Sequence, residues 1–150
     1  MPLPQLARSL AAGMLLAAAT VAPASAQSAA DEREAVLAVN EEFYRAFRES
    51  DMEAMRNVWG AEEPVGLQHP AWPSAITGRS QVLQSWIRIL RSPPDISCEV
   101  ESMFQSEGSW AVVCLEILNP GSVRMINLFR RDGDDWKMVY HGRAPEGRGI

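Results

Sequence analysis

The chain reads as an α+β fold in which three N-terminal helices pack on an antiparallel sheet. Two observations carry this. Apolar residues follow a helical period of about 3.6 over about 31–59 and 78–91 and a period of two from residue 96 onward. Turn signals at Glu107-Gly108, Asn119-Pro120-Gly121 and Asp132-Gly133-Asp134 then cut the second half into four runs, as in a chain of hairpins. Helices followed by strands, rather than alternating with them, give segregated layers.

The first 26 residues stand apart. Arg8 is their only charged side chain, and it leads an uncharged stretch from Leu10 to Ala22, followed by Pro23 and Ala24-Ser25-Ala26. This order of features reads as a secretory signal peptide over 1–26, cleaved between Ala26 and Gln27. The uncharged stretch is 13 residues long. As a helix it would reach about 20 Å, short of the ~30 Å hydrocarbon core. No cysteine sits at the cleavage point to carry a lipid. The expectation is a periplasmic or secreted protein without membrane attachment once the leader is removed. Cleavage would leave 124 of the 150 residues and, with Arg8 gone, take the formal charge from -5 to -6.

The remainder divides into a short linker over 27–34, a domain over 35–144 and a flexible tail over 145–150. In the first helix, expected over about Asp31 to Glu49, Val36, Val39 or Asn40, Phe43 and Phe47 share one face, with Glu41, Glu42, Arg45 and Arg48 opposite. Ser50-Asp51-Met52-Glu53 fits a capping box with Ser50 as cap, opening a short second helix through Met55, Val58 and Trp59. Prolines 64, 70 and 73 interrupt any central strand between Gly60 and Gly78, leaving extended pieces around Val65 to His69 and Ala75 to Thr77. The third helix runs from Gly78 to about Arg91, with Val82, Trp86 and Leu90 in phase, and Ser92-Pro93-Pro94 ends it. Four strands follow over Ile96 to Gln105, Trp110 to Leu118, Val123 to Arg131 and Trp136 to Arg143.

Composition excludes several classes. At 47% hydrophobic and 22% charged, with ordinary Gly, Pro and Cys counts, the chain is neither disordered nor collagen-like nor a disulfide scaffold. A pI near 5.0 without a basic block argues against nucleic acid as a partner. Two histidines leave little room for a histidine-rich metal centre, and no phosphate loop, nucleophile elbow or metal-ligand spacing occurs. No metal or cofactor is expected.

Tight turns at the three signals set the strand register. They place Glu101 opposite Cys114, Cys114 opposite Asn127 and Asn127 opposite Tyr140, on a face shared with Trp110, Met125, Phe129, Trp136 and Met138. The other face holds Ile96, Cys98, Val100, Ala111, Val113, Leu115, Ile117, Ile126, Leu128 and Val139, edged by Arg124, Arg130 and His141. Both faces are apolar, so neither simply faces water. The first, with its row of polar side chains among aromatics and methionines, is the candidate pocket. The second is the candidate homodimer surface. The same parity separates Cys98 from Cys114, so two free thiols are expected even in an exported chain. Glu99, Glu101 and Glu116 are read as solvated, with Glu101 also able to orient a base, and Tyr44 as a packing residue at the helix edge.

The His-Pro-x-Trp-Pro loop at 69–73, Gly-Arg-x-x-Val-Leu-x-Ser-Trp at 78–86 and Trp-Lys-Met-Val-Tyr-His at 136–141 resemble the nuclear transport factor 2-like superfamily, and within it the SnoaL-like members. The resemblance spans about Ala35 to Ala144. It implies a curved sheet around a cone-shaped cavity, commonly in homodimers, in a superfamily holding ketosteroid isomerase, cyclases and dehydratases together with domains that carry no chemistry. Set beside ketosteroid isomerase, the oxyanion tyrosine of the first helix falls at Phe43, which cannot donate a hydrogen bond. The general-base aspartate falls at His69, before Pro70, and the protonated aspartate falls at Asn127, two residues before Phe129-Arg130. Many SnoaL-like relatives carry spaced histidines in the last strand, where this chain has Tyr140 and Gly142.

These residues define a candidate site. His69 would serve as base, with Asn127 and Tyr140 as oxyanion donors, because a neutral imidazole accepts a proton near pH 7 and an amide donates at any pH. Phe43, Trp59, Trp72, Trp86, Glu101, Cys114, Met125, Phe129 and Met138 would line the pocket. Each also has a plainer role: His69 as a loop histidine bonded to backbone, Asn127 and Tyr140 as partners across strands, the tryptophans as core. Two functions are therefore expected. One is an exported module binding a small apolar or amphipathic molecule; the other is a cofactor-free isomerase, cyclase or dehydratase acting beside a carbonyl.

Overall fold

The computed structural model describes residues 24–62 and 64–145; residues 1–23 of the expected 1–26 leader and the end of the tail lie outside them. Helices α1 (Ala24–Arg48), α2 (Met52–Val58) and α3 (Arg79–Ile89) pack against one face of a six-stranded sheet. The strands are β1 (Gly66–Leu67), β2 (Ile76–Thr77), β3 (Ile96–Ser106), β4 (Ser109–Leu118), β5 (Ser122–Asp132) and β6 (Asp135–Arg143), in the order β2-β1-β6-β5-β4-β3. The long meander is antiparallel, whereas β1 runs parallel to β6 and makes the sheet mixed. The two shortest strands fall where prolines 64, 70 and 73 leave room for two residues each of ladder. No described helix is long and apolar enough to cross a membrane.

The corner between α1 and α2 is built differently from the expected capping box. Ser50 takes a left-handed φ of 56°, and Asp51, not Ser50, is the cap, accepting from the Ala54 amide at 2.9 Å. Arg45 reaches from α1 to Glu42, Glu49 and Asp51, fixing the bend from the outside. From the inside, Phe43, Phe47, Met55, Val58, Trp59 and Trp86 close the core, with Trp86 edge-on to Phe43 at 5.4 Å and to Phe47 at 5.5 Å.

Two bulges change which side chains face this core. In the β3/β4 ladder Val100 pairs with Cys114 but Ser102 pairs with Val113, so Glu101 is the extra residue. It turns to the outer face, where Arg124 grips it at 2.5 and 2.9 Å, and it takes no part in a pocket row. Beyond the bulge the parity of β3 reverses, which brings Ile96 and Cys98 onto the inner face. Cys98 and Cys114 become diagonal neighbours with Cα atoms 5.3 Å apart, and they form a disulfide. The expectation of two free thiols fails for this reason.

In the β5/β6 ladder Phe129 pairs with Met138 and Leu128 with Tyr140, leaving Val139 as the extra residue. Tyr140 therefore turns to the outer face, over Gly66 and Gly142, and His141 turns inward opposite Asn127. The side chains of Tyr140 and His141 have exchanged faces relative to a uniform register. At Gly142 an added Cβ would lie 2.3 Å from the Tyr140 hydroxyl, so only glycine lets that ring fold down.

The disulfide closes a loop with a sequence separation of 16, worth about 3 kcal/mol by chain entropy. Thiol titration of the denatured, unreduced protein is expected to find no free cysteine. The double substitution Cys98→Ser with Cys114→Ser should lower stability in urea by about 2–3 kcal/mol. Two titratable thiols in the parent would refute the bridge.

Candidate functional site

A cavity of about 350 Å³ opens between α1, the C-terminal turn of α3, the 69–72 loop and the ends of β4 and β6. Its walls are largely apolar, with Phe43, Phe47, Trp72, Ile89, Ile96 and Leu118 contributing. Tyr44, Glu116 and His141 form its buried floor, each 3% exposed or less. This placement follows from phase. Tyr44 lies on α1 four residues after Asn40, on the helix face turned to the sheet, and Glu116 continues the inward stripe Trp110, Val112, Cys114 of β4.

The floor is a chain of hydrogen bonds from His141 to Glu116 whose two ends lie near each other. His141 Nδ1 lies 2.6 Å from Asn127 Oδ1. An amide oxygen only accepts, so the imidazole carries its proton on Nδ1. Asn127 Nδ2 donates to Asn40 Oδ1 at 2.8 Å and to the Tyr44 hydroxyl at 3.3 Å. Tyr44 in turn donates to Glu116 Oε1 at 2.7 Å. Glu116 Oε1 lies 3.7 Å from His141 Nε2, close but beyond hydrogen-bond range. Among the described residues nothing donates to Glu116 Oε2.

Burial dominates the charge states. It pushes the Glu116 carboxyl up to about 7, only partly offset by the Tyr44 hydroxyl. It pulls His141 down to about 3, with the nearby His69 acting in the same direction. The Tyr44 phenol is raised well above its ordinary range by burial and by the Glu116 carboxylate. Below about pH 7 the floor is therefore a carboxylic acid beside a neutral imidazole and a neutral phenol.

His69 lines the same cavity, 7% exposed, with its ring against Trp72 at 4.5 Å and Trp86 at 4.9 Å. Its Nε2 sits 3.3 Å from Ser85 Oγ, and that hydroxyl donates to the Val82 carbonyl at 2.7 Å. Ser85 has spent its only proton, so His69 Nε2 is the donor and Nδ1 is left as its acceptor. Burial, then the charge of Arg88, lower His69 to about 4, which makes it a weak base at neutral pH.

The structure brings together only part of the expected set. Phe43, His69 and Trp72 line the cavity. Asn127 is fully buried behind the floor, with both ends of its amide bonded to neighbours, and it positions His141 and Tyr44 instead of facing a ligand. Trp59, Trp86, Cys114, Met125, Phe129 and Met138 are buried but do not border the cavity. Tyr140 and Glu101 face the other side of the sheet, as the bulges dictate. The residues missed are Asn40, Tyr44, Arg88, Glu116 and His141. A carboxylate in phase with the inward apolar stripe of β4 was the available signal for Glu116, which is buried and not solvated. Among the described residues no group of three or more His, Cys, Asp or Glu side chains is placed to hold a metal ion.

Comparison with known proteins accords with this geometry. No match is found among curated proteins. The chain is similar to an NTF2-like family protein from Streptomyces avermitilis described as a candidate dehydratase, at 25% identity and a TM-score of 0.61 over 75% of this chain and 95% of that one. It is also similar to a candidate calcium/calmodulin-dependent protein kinase type II association domain from Thiobacillus denitrificans, at 23% identity and a TM-score of 0.64 over 73% and 93%. An NTF2-like protein of unknown function from Shewanella oneidensis shares the fold at 13% identity and a TM-score of 0.63, over 74% and 97%. A family model for the SnoaL-like domain matches residues 36–143. The chain belongs to the SnoaL-like domain family and has the NTF2-like fold.

Proposed function

We propose that the protein is a small-molecule-binding module whose cavity takes a mostly apolar ring compound through one hydrogen-bonding group held at Glu116. The observation that carries this is the carboxyl oxygen Oε2, which no described residue serves, in the wall of an otherwise apolar cavity of about 350 Å³. A ligand hydroxyl or amide could pair with this oxygen from within the cavity. Export belongs to the same proposal. The leader-like residues 1–26 support it, and so does the Cys98–Cys114 bridge, since disulfides persist in oxidising compartments. Homodimerisation through the outer sheet face is supported by half-exposed Val113, Leu115, Ile126, Leu128 and Tyr140 on that side.

A second reading, cofactor-free acid-base chemistry of the isomerase, cyclase or dehydratase kind, is favoured by one observation. Glu116 titrates near 7, where a carboxyl can both take and return a proton. The base would then be Glu116 and not His69, whose pKa of about 4 suits it poorly at neutral pH. Neither Asn127 nor Tyr140 would serve as oxyanion donor, one being hydrogen-bonded at both ends and the other lying on the far face. The similarity to the candidate dehydratase of Streptomyces avermitilis supports the same direction.

Binding is tested with 2-naphthol, a neutral two-ring probe with one hydroxyl, followed by tryptophan fluorescence. Saturable binding at one probe per chain is expected. Ala71→Trp, which places a large ring at the exposed lip, should abolish it. Binding that ignores this substitution would count against the cavity.

Glu116 can be tested by stability. Its folded pKa of about 7 lies above the ordinary carboxylate value of 4.5. The fold therefore holds a proton that the unfolded chain has lost, and ionisation costs folding free energy as pH climbs from about 4.5 to about 7. Glu116→Gln keeps the shape without the charge. Its stability relative to the parent should rise across that window by about 2 kcal/mol, measured by urea unfolding at pH 5 and pH 8. A difference that stays flat would show that Glu116 titrates normally.

For the chemical reading, 2-tetralone in deuterated buffer reports proton abstraction beside a carbonyl by NMR. Catalysed exchange that rises with pH through about 7, and falls at least a hundredfold in Glu116→Gln, is expected of an acid-base enzyme. No acceleration over buffer would leave the binding module alone.

A further inference from the structure

Resting on the cavity reading above, we infer that Arg88 and Trp72 form an anion-recognising rim, so that the ligand is an amphipathic ring compound carrying a planar oxyanion head such as a carboxylate. Arg88 borders the cavity from the last turn of α3, and its guanidinium lies over the Trp72 ring, 5.7 Å from the centroid. Among the described residues no carboxylate lies within ion-pair distance of it. Among the described residues Arg33, Arg56 and Arg91 likewise meet no carboxylate, but none of them borders the cavity; the remaining arginines differ. Arg45, Arg48, Arg124 and Arg131 each meet a carboxylate, and Arg79, Arg130 and Arg143 each meet a backbone or hydroxyl oxygen.

In a chain with more acidic than basic residues, a guanidinium served only by an aromatic face at the mouth of a cavity is a point of unspent hydrogen-bonding capacity. A guanidinium resting over an aromatic ring keeps N–H donors to spare, and its fork matches the two oxygens of a carboxylate.

The rest of the cavity gives this cation its meaning. At neutral pH both cavity histidines are uncharged, and Glu116 is half protonated at the floor. Arg88 is thus the one permanent charge lining the cavity among the described residues. Polarity runs from an exposed cation at the mouth, through apolar walls of Phe47, Ile89 and Leu118, to the hydrogen-bonding floor of Tyr44, Glu116 and His141. A ligand matched to that gradient has an anion outside, a ring body within and a neutral hydroxyl or carbonyl at the far end. A negative floor would oppose an anion seated deeply, so the head group belongs at the rim.

The test compares 6-hydroxy-2-naphthoate with 2-naphthol at pH 7.5, where the first carries an ionised carboxylate and both keep a neutral hydroxyl. In the parent the carboxylate is expected to tighten binding about tenfold or more, and 0.5 M sodium chloride should shrink that advantage, because a rim pair is screened. In Arg88→Gln the ratio of the two affinities should collapse towards one, and in Arg88→Lys it should be partly retained. A ratio near one in the parent, or a ratio unchanged in Arg88→Gln, would overturn the rim while leaving the cavity reading intact. Failure of both probes to bind the parent would remove the cavity reading and the rim with it.

Discussion

The chain of hydrogen bonds that joins His141, Asn127, Tyr44 and Glu116 holds the interior together, because each of its members would be costly to bury alone. Asn127 is wholly enclosed, and its amide is tolerated there only because both ends are used: the oxygen by His141, the nitrogen by Asn40 and Tyr44. The direction of each hydrogen bond follows from the one before it. Asn127 can only accept at Oδ1, so His141 must donate from Nδ1; Asn127 donates to the tyrosine, so the phenol proton is free for Glu116. Three secondary-structure elements in addition to α1 meet in this network, so the orientation of the sheet against the first helix and the presentation of the carboxyl to the cavity are one and the same constraint.

That constraint also explains the charge states. A buried ion pair between Glu116 and His141 would have to repay the desolvation of two charges across 3.7 Å without a close hydrogen bond. Keeping both neutral avoids the cost, which is why burial moves the carboxyl up and the imidazole down rather than drawing them together. The Cys98–Cys114 bridge lies against the same network through Asn40, whose amide nitrogen is 3.7 and 3.8 Å from the two sulfurs. The edge strand β3 is thereby fastened where the polar network begins.

Much of the fold was legible because it depends on period and punctuation. The three helices and four long strands fall within a few residues of the limits set by apolar spacing and turn residues; α1, which starts earlier, is the exception. The inward set Trp110, Met125, Phe129, Trp136 and Met138 is likewise buried as alternation requires. What could not be read was local breaks in that alternation. A bulge leaves no fixed mark in composition, and each one reverses every assignment beyond it. One bulge carried Glu101 outward and Cys98 inward; the other exchanged Tyr140 for His141. Glu116 and Tyr44 were legible by phase but hidden by type, since a glutamate on a strand and a tyrosine beside a helical stripe are more often solvated or packed.

The bulge at Val139 gives the last strand an unusual economy. Residues before it keep their register with β5, while every residue after it changes sides together. Were the bulge closed so that Val139 paired with Leu128, Tyr140 would fall opposite Asn127, and the phenol would replace the imidazole of His141 at the cavity floor without altering a single side chain. The same closure would also move a histidine to the outer face. In a meander of this kind the chemistry of the interior and the character of the exterior are linked through strand register, so the site can be rewritten by changing where the chain is counted from.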